Sequence, residues 1–309
     1  DMNENDKEYQ ASLKSLETEN IIDRKFYRPI GFYFAKLLSR TRVTPNMVTI
    51  LSIFVGLGGG LCFVHTPYDL RWAVAGILCM VVANIMDCID GQLARLTGIK
   101  SEIGRILDGI AGDIWFACIY ICFIIRLTAE YPDALGSMTT GILIAVGLLS
   151  GISHLVQAAV TDYYKTLHLF FISPEKGKEF ERSTSIRRRV KAMPHGVNRL
   201  FSSLYYYYTL IQERATPRLQ RLLDQLEADY PQNTIPETLR QHLRKDSRRI
   251  MNIVDFLTFN GRTIPLFLIV LSGHIWLYFV FEILILDTVL VLGIRRHEAM
   301  CRHHLKERR

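Results

Sequence analysis

Six apolar segments, each long enough to cross a lipid bilayer, most constrain what this chain can fold into. A helix of about 20 apolar residues spans a hydrocarbon core of about 30 Å. We place these spans at 46–65, 72–89, 104–126, 138–160, 253–272 and 274–294. The predicted fold class is therefore an all-α integral membrane protein with six transmembrane helices.

Basic residues are unevenly distributed among the segments that connect the spans. Lys and Arg are frequent at 95–105, in 161–252 and in both terminal segments, whereas 66–71 and 127–137 are nearly free of them. Because basic connections stay in the cytoplasm, we expect a multi-pass protein of the cytoplasmic membrane with both termini inside. The net charge of +7 specifies no partner by itself, and the apolar runs argue against nucleic-acid binding.

The spans divide the chain into four predicted regions. Residues 1–41 hold a polar segment, expected to pack loosely, and an amphipathic helix suited to the membrane interface. Residues 42–160 contain the first four spans, and 161–252 form a helical cytoplasmic insert. Residues 253–309 contain the last two spans, joined by a tight turn near Gly273, and a basic tail.

The insert carries its own helix signals and a basic cluster. Helices are predicted to start at Thr216-Pro217 and at Thr234 to Pro236, each followed by leucines at helical spacing. The basic cluster is Arg187 to Arg189 with Lys191. We expect a helical pair that lies on the membrane or packs on a partner subunit. Anionic lipid binding, a cap over an active site and a solvated structural insert remain alternatives.

Three aspartates near the ends of the second and third spans are the most informative residues. Asp87 and Asp90 are three positions apart and share one helix face, while Asp108 lies in the next span, four residues after Gly104. Buried carboxylates are costly in a membrane and need partners. Since hard divalent cations prefer oxygen ligands, this arrangement favours a metal site over interfacial charges that face water.

These aspartates are part of a longer motif. It reads Asp87-x-x-Asp90-Gly91-x-x-Ala94-Arg95, then eight residues, then Gly104-x-x-x-Asp108. The motif resembles the signature of the CDP-alcohol phosphotransferase (CDP-alcohol phosphatidyltransferase) family. Thr44-Pro45-Asn46-x-x-Thr49 also resembles the family's lead into its first span.

The resemblance implies a transferase of phospholipid biosynthesis. It implies that Asp87, Asp90 and Asp108 bind two divalent ions, Mg²⁺ or Mn²⁺, which hold the diphosphate of a CDP-activated donor such as CDP-diacylglycerol. An alcohol would attack the β-phosphorus, and CMP would leave. The residues implied to contact the donor are Asn46, Asp90, Gly91, Ala94, Arg95 and Gly104. The family also implies a homodimer among membrane lipids. The charge distribution places the three aspartates, and with them the expected active site, on the cytoplasmic side.

The last acidic position of the family signature is not acidic in this chain. The presumed general base, also close to the metals, would fall at Gly112, and the next residue is Asp113. On a regular helix, Asp113 is rotated by about 100° from position 112. A π-bulge between 108 and 113 would restore the shared face, so we predict a bulge that makes Asp113 the catalytic base and a metal ligand. The alternative is a chain that lacks the base and is weakly active or repurposed.

The acceptor alcohol is indicated by basic residues. Arg262 in the fifth span and Lys165 after the fourth are candidates for binding an acceptor phosphate, and a pair with Asp255 or snorkelling is the alternative for Arg262. These cations favour an inositol-phosphate-type acceptor. Serine, inositol, choline, ethanolamine and glycerol phosphate remain alternatives. A non-enzymatic transporter or lipid-binding relative also stays open.

Overall fold

Helices account for nearly all of the computed structural model, which describes residues 4–15, 17–99 and 101–307. The one strand in that part of the chain is Ala134–Ser137. The α-helices are α1 Glu4–Ser12, α2 Arg28–Leu38, α3 Pro45–Cys62, α4 Leu70–Thr97, α5 Glu102–Glu130, α6 Thr139–Ile172, α7 Ser183–Ala192, α8 Val197–Ala215, α9 Pro217–Asp229, α10 Glu237–Val254, α11 Phe259–Ser272, α12 Trp276–Val280 and α13 Asp287–Glu307. Two π-helical segments, Asp23–Tyr27 and Phe281–Leu286, precede α2 and α13.

Six helical stretches within the described ranges are long and apolar enough to cross a membrane. They are Pro45–Cys62, Leu70–Thr97, Gly104–Glu130, Gly136–Ile172, Glu237–Ser272 and Trp276–Lys306. The predicted all-α fold class and its six spans are confirmed, and the chain is a multi-pass membrane protein. Several helices continue beyond the apolar run that identified them. Because α4 extends to Thr97, the entire motif from Asp87 to Arg95 lies on one helix.

The helix boundaries follow from local capping chemistry. The Thr44 hydroxyl accepts a hydrogen bond from the Met47 amide at the start of α3, and Pro45 occupies the first helical position. Ser101 caps α5 in the same way, with its hydroxyl 2.9 Å from the Gly104 amide. Gly273, at φ +79°, forms the predicted tight turn between α11 and α12, since this left-handed conformation favours glycine.

Two compact units divide the chain. The first comprises Asp1–His154 and Arg262–Ile283, and the second comprises Leu155–Gly261 and Leu284–Arg309. In the first unit, α3 packs against both α4 and α5. The backbones of α3 and α4 approach closely at Gly59, where an added Cβ would lie 3.0 Å from the Gly76 carbonyl oxygen. Small residues permit such contacts between membrane helices, and here they let α3 pack closely on α4, which carries Asp87 and Asp90.

The N-terminal segment is not loosely packed, contrary to our expectation. Helix α1 packs on α4, and Ser12 is fully buried. Gln92 of α4 donates a hydrogen bond from Nε2 to Ser12 Oγ at 3.1 Å, and Arg95 donates from Nε to the Ser12 carbonyl. Helix α2 also packs on α4, leaving apolar side chains such as Tyr33 and Leu37 exposed. The polar composition of this segment did not predict its packing, because hydrogen bonds from Gln92 and Arg95 hold it in place.

In the second unit, the leucines of α9 face the protein interior. The predicted start at Thr216-Pro217 is confirmed, and α10 begins directly after Pro236. Both helices pack against α13. The buried leucines of the pair are Leu219, Leu222, Leu223, Leu226 and Leu243. The chain itself covers the leucine face, so contact of this pair with the membrane or with a partner through other faces stays a prediction.

Candidate metal and substrate site

Three carboxylates from two adjacent helices converge in the first unit. Asp87 and Asp90 lie on α4, Asp108 lies on α5, and one oxygen from each falls within 4.8 Å of the other two. Asp90 is buried, Asp87 is half-buried and Asp108 is exposed. The Asp90 side of the cluster is therefore enclosed by protein, and the Asp108 side is accessible. The predicted convergence of the three aspartates is what the geometry shows.

This donor set fits a hard divalent cation. Mg²⁺ and Ca²⁺ bind carboxylate oxygens, and Mg²⁺ is commonly held by one or two protein carboxylates together with substrate phosphates. Like charges at this separation repel each other strongly in a low-dielectric environment, so the cluster needs compensating positive charge. The residues therefore suit metal ions that are also bound by a phosphorylated substrate.

A hydroxyl on α3 fixes the buried member of the cluster. Thr49 Oγ1 donates a hydrogen bond to Asp90 Oδ2 at 2.5 Å, and both side chains are buried. Such partners orient metal-binding carboxylates and restrict their rotamers. Thr49 belongs to the lead-in motif of the first span, but its hydrogen bond to Asp90 was not predicted.

Polar groups also converge where α5 begins. Asn46 Nδ2 lies 3.1 Å from Ser101 Oγ, and a Cβ added to Gly104 would lie 2.2 Å from Asn46 Oδ1. A side chain at position 104 would displace the Asn46 amide from this place. The structure thus brings together Asn46 and Gly104, two of the residues predicted to contact a donor. Ser101, which joins them, was not predicted.

Arg95, by contrast, is directed toward the N-terminal segment. A Cβ added to Gly91 would lie 3.2 Å from the Arg95 guanidinium, whose Nε donates to the Ser12 carbonyl. Ala94 is half-buried on the same helix. The roles of Gly91, Ala94 and Arg95 toward a donor stay predictions.

The predicted π-bulge in α5 is wrong. The helix is α-helical from Glu102 to Glu130, so Asp113 does not share the face of Asp108. The Asp113 carboxylate instead lies 3.2 Å from His154 Nε2. A Cβ added at Gly112 would meet no atom within 4 Å, so the position where the family signature has an acid opens onto free space. The catalytic and metal-binding roles of Asp113 stay predictions.

Arg262 belongs to a buried network of charged and polar groups in the first unit. Its NH1 donates to Glu282 Oε1 at 2.7 Å and contacts His154 Nδ1 at 3.1 Å, and all three side chains are buried. A guanidinium only donates, so Nδ1 must accept, and the ring proton is on Nε2 and points to Asp113. The network therefore runs from Glu282 through Arg262 and His154 to Asp113.

This pairing changes the interpretation of Arg262. Inside the protein, Glu282 balances the positive charge of Arg262. Glu282 was not predicted as its partner. A signal existed, because Glu282 is an isolated carboxylate within the apolar stretch 276–286, and a buried arginine requires a counter-charge. Lys165 lies on α6 in the second unit with a half-buried side chain. A phosphate-binding role for either cation stays a prediction.

Comparisons with known proteins agree with the clustered motif. The sequence profile of the family described as CDP-alcohol phosphatidyltransferase matches residues 42–172, which include the three aspartates. Phosphatidylinositol phosphate synthase of Corynebacterium glutamicum is 30% identical over 118 residues, covering 38% of this chain and 52% of that protein.

Two archaeal relatives match over similar or shorter stretches. Archaetidylinositol phosphate synthase of Pyrococcus horikoshii is 36% identical over 73 residues, 24% of this chain and 36% of that protein. The protein of the same name from Aeropyrum pernix is 29% identical over 103 residues, with coverages of 32% and 50%. The chain spans about half, or less, of the length of these curated relatives. Residues 42–172 of the chain are therefore similar to the CDP-alcohol phosphatidyltransferase family.

Proposed function

We propose that this protein transfers a phosphatidyl or similar phospho-alcohol group from a CDP-activated donor to an alcohol, with release of CMP. The observation that carries the proposal is the convergence of Asp87, Asp90 and Asp108 within 4.8 Å, in the register of the family motif. Phosphoryl transfer depends mainly on positioning and on neutralising charge, and this cluster is built for both.

The three aspartates would have different roles because their burial differs. Asp90, held by Thr49, forms the rigid inner side of the cluster, and the exposed Asp108 faces the side from which a substrate would enter. Divalent ions bound here would neutralise the donor diphosphate and the leaving CMP. The acceptor oxygen forms a bond to the β-phosphorus, the bond from that phosphorus to the CMP oxygen breaks, and the hydroxyl proton passes to solvent water. Asn46 and Gly104 would supply space and polar contacts for the nucleotide.

We propose an inositol-phosphate-type acceptor and a CDP-diacylglycerol-type donor. The support comes from the relatives, whose names are phosphatidylinositol phosphate synthase and archaetidylinositol phosphate synthase. The buried pairing of Arg262 with Glu282 weakens the case for a phosphate on that arginine, so a neutral alcohol remains the main competitor. Mg²⁺ or Mn²⁺ as cofactor, a homodimer, and an active site and termini on the cytoplasmic side complete the proposal.

CMP release tests the proposal. The purified full chain in lipid nanodiscs is supplied with CDP-diacylglycerol, Mg²⁺ and one acceptor at a time, from inositol phosphate and glycerol phosphate to inositol and serine. We expect CMP release with inositol phosphate and none from the Asp108→Asn variant, which retains the shape of the side chain. CMP release with a neutral alcohol alone would contradict the inositol phosphate acceptor but would support the transfer reaction.

A non-catalytic function is the second candidate, because two observations favour it. Position 112 lacks the carboxylate of the family signature, and Asp113 is engaged by His154. Wild-type protein that binds CDP-diacylglycerol with Mg²⁺ but releases no CMP with any acceptor would establish a lipid-binding relative. Protein that binds neither would contradict both candidates.

A further inference from the structure

Helix α8 in the second unit displays a stripe of exposed apolar side chains. The stripe consists of Val197, Leu200, Leu204 and Tyr207, which are 64%, 60%, 54% and 62% exposed. At about 100° per residue, these four positions fall within an arc of about 80°. Comparable exposure occurs in the apolar spans, where Phe54 is 66% and Ile152 is 62% exposed. The α8 stripe is thus as open as side chains on the apolar spans.

The buried face of α8 is polar. Ser202, Thr209 and Gln212 are all buried, and Gln212 donates from Nε2 to the Ala159 carbonyl oxygen at 2.9 Å. A helix on the surface of a water-soluble domain shows the opposite arrangement, with apolar residues inside and polar residues outside. The inverted pattern indicates that the outward face of α8 meets an apolar medium.

The helix that packs against α8 supplies positive charge. On α7, Arg187, Arg188 and Lys191 are exposed. Within the described ranges, none of the three forms an ion pair, whereas the neighbouring Arg189 pairs with Glu181 at 3.0 Å. Exposed, unpaired basic side chains close to a membrane are attracted to anionic lipid headgroups.

We propose that α8 lies in the interfacial region of an anionic bilayer, with the α8 stripe inserted among the acyl chains and the three basic residues of α7 bound to lipid phosphates. An anionic lipid surface is the one occupant that accounts for both the apolar stripe and the unpaired positive charge. Interfacial helices combine these two features. The inference does not depend on the proposed enzymatic function.

A site-specific probe tests the insertion. A fluorescent amino acid is incorporated at position 204 of the full chain, which is then placed in nanodiscs containing brominated phospholipids. The matched control carries the probe at Asn198, an exposed polar position on another face of the same helix. We expect brominated lipid to quench the probe at 204 at least about twofold more strongly than at 198, with iodide showing the reverse order.

Lipid charge provides the second arm. Changing Arg187, Arg188 and Lys191 together to Gln is expected to reduce quenching at 204 in anionic discs to the level found in zwitterionic discs. Equal quenching at 204 and 198, or strong iodide quenching at 204, would overturn the proposal in favour of a solvated helix. A probe at 204 shielded from both quenchers would also overturn it, and would indicate contact between two copies of the chain.

Discussion

Two groups of carboxylates in the first unit differ in the groups that surround their negative charge. Glu282 is buried against Arg262 at 2.7 Å, so the charges of this pair balance each other, and His154 links the pair to Asp113. Asp87, Asp90 and Asp108 gather within 4.8 Å, and a threonine hydroxyl is the neutral group that supports Asp90. The first group holds its counter-charge at contact distance, whereas the second leaves Asp108 exposed on a side that suits a cation.

Breaking the internal pair should give the largest effect. Glu282→Gln leaves the Arg262 charge buried without its counter-charge, which costs about 3–5 kcal/mol of unfolding free energy. The double variant Arg262→Met with Glu282→Leu removes both charges and is expected to unfold near the wild-type temperature. Thermal unfolding in detergent measures both. An equal loss of stability in the single and double variants would contradict a charge-balanced pair.

Adding Mg²⁺ should raise the unfolding temperature through the aspartate cluster and not through the Arg262–Glu282 pair. A ligand at 100 times its dissociation constant stabilises the folded state by about 2.7 kcal/mol. We therefore expect Mg²⁺ to raise the unfolding temperature of the wild type relative to EDTA, and to have little effect on Asp90→Asn. The Arg262→Met, Glu282→Leu double variant should keep the full Mg²⁺ response. A lost response in that double variant would show that the network also takes part in metal binding.

Removing the support of Asp90 should have an intermediate effect. Thr49→Val keeps the shape of the side chain but deletes the hydroxyl that donates to Asp90, and loss of such a partner typically lowers metal affinity or activity about 10- to 100-fold. Ser52→Ala is the matched control, because this buried hydroxyl on the same helix donates to the Thr49 carbonyl oxygen. CMP release at limiting Mg²⁺ compares the two. Similar losses would assign Thr49 to packing.

Adding a carboxylate should give the smallest effect, in the opposite direction. Gly112→Asp places an acid one turn after Asp108 on the same face of α5, in space that is open around the Cβ position. We expect the Mg²⁺ concentration for half-maximal CMP release to fall by about tenfold, since affinity grows with ligand charge. Gly109→Asp is equally open but points elsewhere, and should not change it. Equal responses would mean that net charge alone acts.

The sequence predicted the spans and the acidic cluster for identifiable reasons. Hydropathy reports segment length directly, and the three-residue spacing of Asp87 and Asp90 guarantees a shared face on any α-helix. The partner of Arg262 was not predictable in the same way, because Glu282 is brought to it by tertiary packing across the turn at Gly273.

Two expectations were wrong. A π-bulge was predicted in α5, whereas a π-helical segment occurs at Phe281–Leu286 and contains Glu282. Polar residues 1–19 were expected to pack loosely, yet Ser12 is docked by Gln92 and Arg95. The contacts of Ser12 join residues far apart in sequence, and periodicity carries no information about such contacts.

Mn²⁺ binding followed by electron paramagnetic resonance most directly tests whether the acidic cluster holds cations. The purified full chain in nanodiscs is titrated with Mn²⁺ beside a variant carrying Asp87→Asn, Asp90→Asn and Asp108→Asn, whose side chains keep their shape but lose their charge. We expect saturable binding to the wild type that Mg²⁺ displaces, and its loss in the triple variant. Identical binding curves for the two proteins would contradict the account.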